Sequence, residues 1–364
     1  MAELHLQENK NRILSIDFFR GFTMFLLVGG FSGMFGELNP ETSNPVIYFI
    51  GSQLDHVPWV GLRFWDLVQP FFMFIVGVSM PFSFTRRWNQ GDGWNKTFKH
   101  VLTRSFFLLL LGWMLGARET SFNLTNVLAQ LSFTYLVAFL LMRKHWGLQL
   151  GLSFAMILTN DLLYHYWPMV GFNQPYEPDH NFGSWFDIAL TGNLGPSGWV
   201  AFNALSTTAH TIWGVLSGMV LMNTWTQGKK IKLFLAIGLA GTVIGYAMNP
   251  FIPIIKHICT SSFIIVSGGW CFIALALSYW IIDVLQFRKI PFFFAIVGMN
   301  PLFIYLFSNL GGKQLLNRMV KPFSYRLFHW AGEMTYQVGT TLIVAAMVWY
   351  ICYFLYKRNI FFRI

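Results

Sequence analysis

The chain has 364 residues, of which 55% are hydrophobic, 18% aromatic and only 11% charged. Soluble domains carry about 25% charged residues, so this chain has too little polar surface to cover a water-soluble core of its size. The composition excludes an ordinary soluble enzyme and points to an all-α, polytopic membrane protein. The net charge of +10 invites a nucleic-acid reading, but topology explains it better.

In chain order, a polar opening, "MAELHLQENKNR", leads into the apolar run "FTMFLLVGGFSGMFG". No small-residue cleavage pattern follows, so this run is expected to be a retained first span. About ten spans are predicted, over 14–36, 64–84, 101–118, 124–142, 147–164, 200–223, 231–249, 261–283, 290–310 and 336–356, given about 20 residues to cross the bilayer. With the N-terminus inside, 18 of the Lys and Arg residues fall on the inner side and 7 on the outer. That bias predicts both termini in the cytoplasm and an even number of helices. No internal repeat stands out, and 1–364 reads as a single transmembrane domain. The inner loops are short and basic, whereas 37–62, 165–199 and 311–335 form long outer loops rich in aromatic and polar residues. Cys259, Cys271 and Cys352 have no paired spacing, so neither a disulfide framework nor a metal site is expected.

Ionisable residues inside spans are costly and usually face a cavity or a partner. "SIDFFRGF" puts Asp17 and Arg20 at i and i+3 near the inner end of the first span, where they can pair or hold an anion. "HVPWVGLRFWDLVQPF" sets His56 beside Asp55, among Pro58, Trp59 and Trp65, ten residues before Asp66 at the mouth of the second span. A histidine titrates near neutral pH and a carboxylate can orient its ring, so this pair is a candidate general base on the outer face. The other reading is a solvated loop histidine. "NPFIPIIKHICTSSF" breaks a helix at Pro250 and Pro253, which is tolerable only where a cavity or protein covers the freed backbone. Lys256 and His257 follow directly. "AIVGMNPLFIYLFSN" interrupts a span at Asn300–Pro301, where Asn300 can refill the lost hydrogen bond or touch a ligand. His210, in "STTAHTIWGVLSG", reads either as a satisfied buried histidine or as a functional one. No glycine-rich phosphate loop, HExxH or GxSxG is present.

Taken in order, "RILSIDFFRGFTMFLLV", "HVPWVGLRFWDLVQPFFMFIVGVSM", "NVLAQLSFTYLV", "TIWGVLSG", "IPIIKHICTSSF" and "GMNPLFIYLFSNL" resemble the heparan-alpha-glucosaminide N-acetyltransferase family of transmembrane acetyltransferases, in its compact bacterial form. The blocks run from residue 12 to about 310, and the second is the most specific. The first is shared more loosely with bacterial polysaccharide O-acyltransferases. The resemblance implies transfer of an acetyl group from cytosolic acetyl-CoA to a sugar on the other side of the membrane, here expected to be a bacterial inner membrane. It makes His56 the active-site histidine and Asp66 its acidic partner, and it matches Lys256 and Asn300 to a Lys and an Asn of the late spans. Arg20 and Arg104 would hold the CoA phosphates, Asn300 would meet the pantetheine arm or thioester, and Asp55 and Trp59 would shape the acceptor site. Direct transfer and an acetyl-histidine intermediate both stay open, as does a homodimer.

The departures fall mostly at the outer face. Phe31 stands where the family often has Asn, Ile255 replaces the Asn before Lys256, Leu131 replaces an Arg after Gln130, and Gly195–Gly198 replaces an acidic turn. They leave the acceptor's identity open. The competing class is a sugar or lipid-linked glycan transporter without chemistry. A third reading is a receptor-like or assembly protein using the aromatic loops.

Overall fold

The computed structural model describes residues 13–29, 31, 34–35, 44–117 and 121–362. The polar opening, part of the first predicted span, residues 36–43 of the first outer loop, and Arg118 lie outside the described residues.

In chain order the helices are α1 (Leu14–Gly29), α2 (Pro45–Gln53), α3 (Val68–Asn89, entered through a 3₁₀ turn at Phe64–Leu67), α4 (Trp94–Gly116), α5 (Val127–Met142), α6 (Trp146–Tyr166), α7 (Phe182–Thr191), α8 (Ala204–Met222), α9 (Gln227–Met248), α10 (Ser261–Ser278, continued as a π-turn over Tyr279–Val284), α11 (Lys289–Gly298), α12 (Pro301–Asn309), α13 (Gly312–Phe328) and α14 (Glu333–Lys357). Every predicted span overlaps one of them. Among the described residues, five stretches are long and apolar enough to cross a membrane, namely Phe64–Asn89, α4, α9, Ser261–Val284 and α14. The α11–α12 pair, bent by 66°, makes a sixth if counted as one broken span. The bend falls at the Asn300–Pro301 interruption, as expected from the proline. The structure adds helices α2, α7 and α13 inside the three segments read as outer loops.

Local sequence explains the helix starts. Asn126 accepts from the backbone N–H groups of Leu128 and Ala129 at the head of α5, and Asn44, Asn181 and Thr226 do the same for α2, α7 and α9; such side chains satisfy donors that the first turn leaves unpaired. Gly192, with φ +74, ends α7 in the left-handed region that favours glycine.

The chain divides into two compact units, one of Met1–His56, Arg63–Val68 and Leu277–Arg363, the other of Val57–Leu62 and Gln69–Ala276. In the first, α1 lies tightly on α11. A Cβ at Gly21 would sit 1.8 Å from the Phe294 carbonyl oxygen, and Phe18, Phe22 and Phe25 each meet the Phe294 ring edge-on at 5.3–5.6 Å. The head of α1 is capped from far along the chain, because Leu14 and Ser15 donate their N–H groups to Asp283 at 3.0 and 3.2 Å.

The Phe64–Asn89 stretch, which from Gln69 onward belongs to the second unit, has 83% of its most apolar part buried, against 22% for α4 and 17% for α9. The outward faces of α4 and α9 carry Phe106, Trp113, Leu239 and Val243, the surface expected of helices that meet lipid. α3 and α8 cross at glycines: a Cβ at Gly214 would lie 2.1 Å from the Phe74 carbonyl. Beside the crossing runs a buried amide chain. Gln69 donates to Gln130 at 3.0 Å, Gln130 to Asn203 at 2.6 Å, and Asn203 to the His257 carbonyl at 3.2 Å.

The crossing predicts that Gly214→Ala lowers stability by about 1–3 kcal/mol, the usual cost of overpacking, even though alanine gains about 1 kcal/mol in helix propensity. Thermal unfolding of the detergent-solubilised protein checks this, and a variant that melts with the parent would show that the helices part freely.

Candidate active site

The stretch between α2 and α3 builds the first cluster. Asp66 lies at the third position of the 3₁₀ turn and is 1% exposed. Its two oxygens have separate partners: Oδ1 is 2.7 Å from His56 Nδ1, and Oδ2 accepts the Arg63 N–H at 3.0 Å. The Arg63 guanidinium donates to the His56 carbonyl at 3.2 Å, and Gln53 accepts the Phe64 N–H at 3.1 Å. The Trp65 ring stands edge-on to the imidazole at 6.5 Å. Below it Trp65 packs with Leu26 and Val68, bordered by Phe22 and Leu54. The histidine side chain is 42% exposed while the carboxylate is buried. A neutral imidazole donating Nδ1–H to Asp66 keeps its lone pair on Nε2, which makes it a base held in one tautomer. Asp55, half-buried, follows in the turn after α2, where its N–H donates to Ser52 at 3.3 Å.

The second cluster lies in the other unit. His257 is buried between two indoles, Trp59 at 5.0 Å and Trp199 at 4.3 Å. The Lys256 ammonium lies over Trp199 at 5.4 Å. Trp59 also donates its Nε1–H to the Tyr176 carbonyl at 2.7 Å. The 57–62 loop is tied down by Gly61, whose N–H donates to the Ile254 carbonyl at 2.8 Å, and by a bridge between Val60 and Ile255. The break at Pro253 is repaired by side chains: Thr260 and Ser262 donate to its carbonyl at 2.8 and 3.0 Å, and Asn249 accepts the Ile254 N–H at 2.9 Å. Around this cluster stands an aromatic core of Tyr164, Phe182 and Val200, packed by Trp167 and Trp185.

The remaining sequence candidates have contacts of their own. Arg20 lies 3.8 Å from Asp17, the expected i, i+3 pair. Arg104 was expected at the inner end of a span beginning at 101. Its helix begins at Trp94, so Arg104 sits well inside α4, with its guanidinium 4.7 Å over the Tyr135 ring and donating to the phenol at 3.3 Å. Asn300 departs most from expectation. It is fully buried, donates to the Ile360 carbonyl at 2.9 Å and accepts the Phe362 N–H at 3.0 Å. Both ends of its amide are thus bonded to the backbone of the chain's last described residues, not to the helix that Pro301 interrupts. His210 is buried, with Nε2 3.0 Å from Ser267 Oγ and 3.2 Å from the Ile264 carbonyl.

Sequence reading missed Arg63, Gln69, Asn203, Trp199 and Asp187. Only Arg63 carried a signal, its place three residues before Asp66 at a helix start. Asp187, in α7, uses both oxygens on the Ala201 N–H at 3.0 and 3.2 Å. Among the described residues no group of three or more His, Cys, Asp or Glu gathers as a metal site, and the three cysteines are free and buried.

These features define an integral membrane protein, all-helical in its described residues, that holds an accessible histidine on a buried carboxylate. No family model matches the chain. It is similar along nearly its whole length to heparan-alpha-glucosaminide N-acetyltransferase, at 25% identity with the Mus musculus protein over 426 aligned positions and 23% with the Homo sapiens protein over 421. The alignments cover 98% and 97% of this chain but 61% and 60% of those proteins. The chain thus spans about three-fifths of the length of the curated relatives it matches. The resemblance read from the motifs holds as a distant one.

Two expectations follow. Asn300→Ala should free the segment at Ile360–Phe362, read as faster amide hydrogen exchange there with α14 unchanged; unaltered exchange would mean that other contacts hold the segment. Burial pushes the Asp187 carboxyl up from 3.8 to about 7, only partly offset by the Ala201 N–H. A carboxyl with a raised folded pKa contributes stability that is complete below its unfolded pKa and is lost as pH rises through about 7. Asp187→Asn should therefore flatten the fall in melting temperature between acid and mildly alkaline pH, and an identical slope in variant and parent would exclude that role.

Proposed function

We propose that the protein is a membrane acetyltransferase that moves an acetyl group from cytosolic acetyl-CoA to the amine or hydroxyl of a sugar acceptor on the outer side. The observation that carries this reading is the His56–Asp66 pair. The full-length similarity to a protein named as an N-acetyltransferase supports it.

The chemistry asks for a base beside a thioester and an acceptor. The acceptor's nitrogen or oxygen adds to the thioester carbonyl carbon, its proton passes to His56 Nε2, the carbon–sulfur bond breaks, and CoA leaves as a thiolate that takes up a proton. Asp66 fixes the tautomer and counters the charge that the ring gains. An acetyl-histidine relay would use the same nitrogen as nucleophile. Positioning of the two substrates supplies several kcal/mol more.

Arg20, a partly exposed cation 3.8 Å from Asp17, is proposed to hold a CoA phosphate. Arg104, on α4, is the other cation proposed for the CoA phosphates. Lys256, whose ammonium lies over the Trp199 ring, is proposed as a further cofactor-binding cation. Asn300, at the α11–α12 bend, is proposed to meet the pantetheine arm or thioester with the hydrogen-bonding capacity that Ile360 and Phe362 leave it. Trp59 and Asp55 would shape the acceptor site, with the indole offering a face to a sugar ring. The same reading takes the whole of 1–364 as one acyltransferase domain of about ten spans, both termini cytoplasmic, in a bacterial inner membrane, as a monomer or a homodimer.

The test is transfer of radiolabelled acetyl from acetyl-CoA by purified protein. His56→Ala should cut transfer by about 10²–10⁴, the usual loss with a general base, while the variant stays folded and binds acetyl-CoA as the parent does. Transfer within about tenfold of the parent rate would reduce His56 to a loop residue.

A further inference from the structure

Segment 311–335 read as an outer loop, yet 17 of its residues form the helix α13. Its composition sets it apart from the helices around it. It carries Lys313, Arg318, Lys321 and Arg326, and no Asp or Glu occurs between Asp283 and Glu333. These four are the majority of the seven basic residues that the span pattern leaves on the outer side.

At 3.6 residues per turn, α13 has three faces. Leu316, Val320 and Ser324, at i, i+4 and i+8, are buried; Ser324 shares a hydrogen bond with Thr340 of α14 at 2.8 Å, and Phe328 lies against Gly339. One position back, Leu315, Met319 and Phe323 repeat the spacing and are 57%, 55% and 70% exposed. On the other flank Gln314, Arg318, Lys321 and Tyr325 are all exposed. One face therefore meets protein, one is apolar and open, and one is cationic and open. A helix wholly inside hydrocarbon would not keep the third face, and one wholly in water would not keep the second. This is the pattern of a helix lying in the membrane interface.

We propose that α13 lies in the plane of the membrane interface and binds the anionic headgroups of phospholipids through Arg318 and Lys321, with Leu315, Met319 and Phe323 seated among the acyl chains and Arg326, three residues after Phe323 on that apolar face in the last turn, snorkelling back to the headgroups. The apolar stripe beside the cations favours a lipid over a soluble polyanion, which offers phosphate or carboxylate but nothing to cover the stripe. The proposal is independent of the acetyltransferase reading.

Delipidated full-length protein in detergent, titrated with phosphatidylglycerol and with phosphatidylcholine and read by native mass spectrometry, tests it. Each cation near an anionic surface contributes about fivefold in affinity, so the parent should prefer phosphatidylglycerol by at least about tenfold, a preference that shrinks at high salt. The triple variant Arg318→Gln, Lys321→Gln, Arg326→Gln should lose it, and the control Lys229→Gln, Lys232→Gln on α9 should keep it. Equal binding of the two lipids by the parent, or a preference retained by the triple variant, overturns the proposal. So does tighter binding of heparin than of either lipid, which would make the surface one for polysaccharide. Should the triple variant fail to fold, the parent's own lipid preference and its salt dependence decide.

Discussion

A peptide group freed from a helix in apolar surroundings must find another partner or cost several kcal/mol. Side chains make such contacts at three places: a helix start, a proline break and a bent helix pair. Asp283 caps α1, Thr260 and Ser262 close the Pro253 break, and Asn300 takes the backbone of Ile360 and Phe362 at the α11–α12 bend. These repairs are what allow the chain to be irregular where its chemistry-bearing residues lie. Lys256 and His257 sit in the turn that Thr260 and Ser262 hold.

The same demand shapes the His56 cluster. A buried carboxylate without partners is expensive, and Asp66 meets that cost with one imidazole and one backbone N–H. Because the N–H comes from Arg63, at the start of the same 3₁₀ turn, the turn cannot unwind without stripping the carboxylate. The histidine is thus positioned by an element that is itself locked by the charge it serves. Trp65, wedged on Leu26 and Val68, fixes the turn from below.

Much of this was legible in the sequence for a physical reason. Apolar runs long enough to cross a bilayer are read from composition alone, and a helix overlaps every predicted span. Asp66 stood out because an acid at the mouth of a span needs a partner, and His56 was the nearest candidate. The break at Asn300–Pro301 was legible from the proline, whereas the partners of Asn300, Ile360 and Phe362, are main-chain groups some 60 residues away and leave no mark in side-chain chemistry. Gln69, Gln130 and Asn203 escaped notice for a similar reason: amides are common, and only the fold stacks three of them into one chain. Helices α2, α7 and α13 were hidden by their aromatic and polar content, which in a membrane protein reads as loop. The polar first turns of α4, from Trp94, do not look like part of a span, so the predicted span begins later than the helix.

The cap on α1 has a consequence for how the protein is made. Leu14 and Asp283 lie 269 residues apart, a separation that takes on the order of tens of seconds to translate at ribosomal rates. Through that interval the first helix exists without the carboxylate that satisfies its leading donors. Its early placement must then rest on its own apolar surface and on interim partners, such as water at the bilayer edge or the insertion machinery. The native clasp closes only when Tyr279–Val284 arrives. Assembly of the unit that bears His56 is therefore a late event in biogenesis, and the chain would have its histidine and Asp66 in hand well before the scaffold around them is complete.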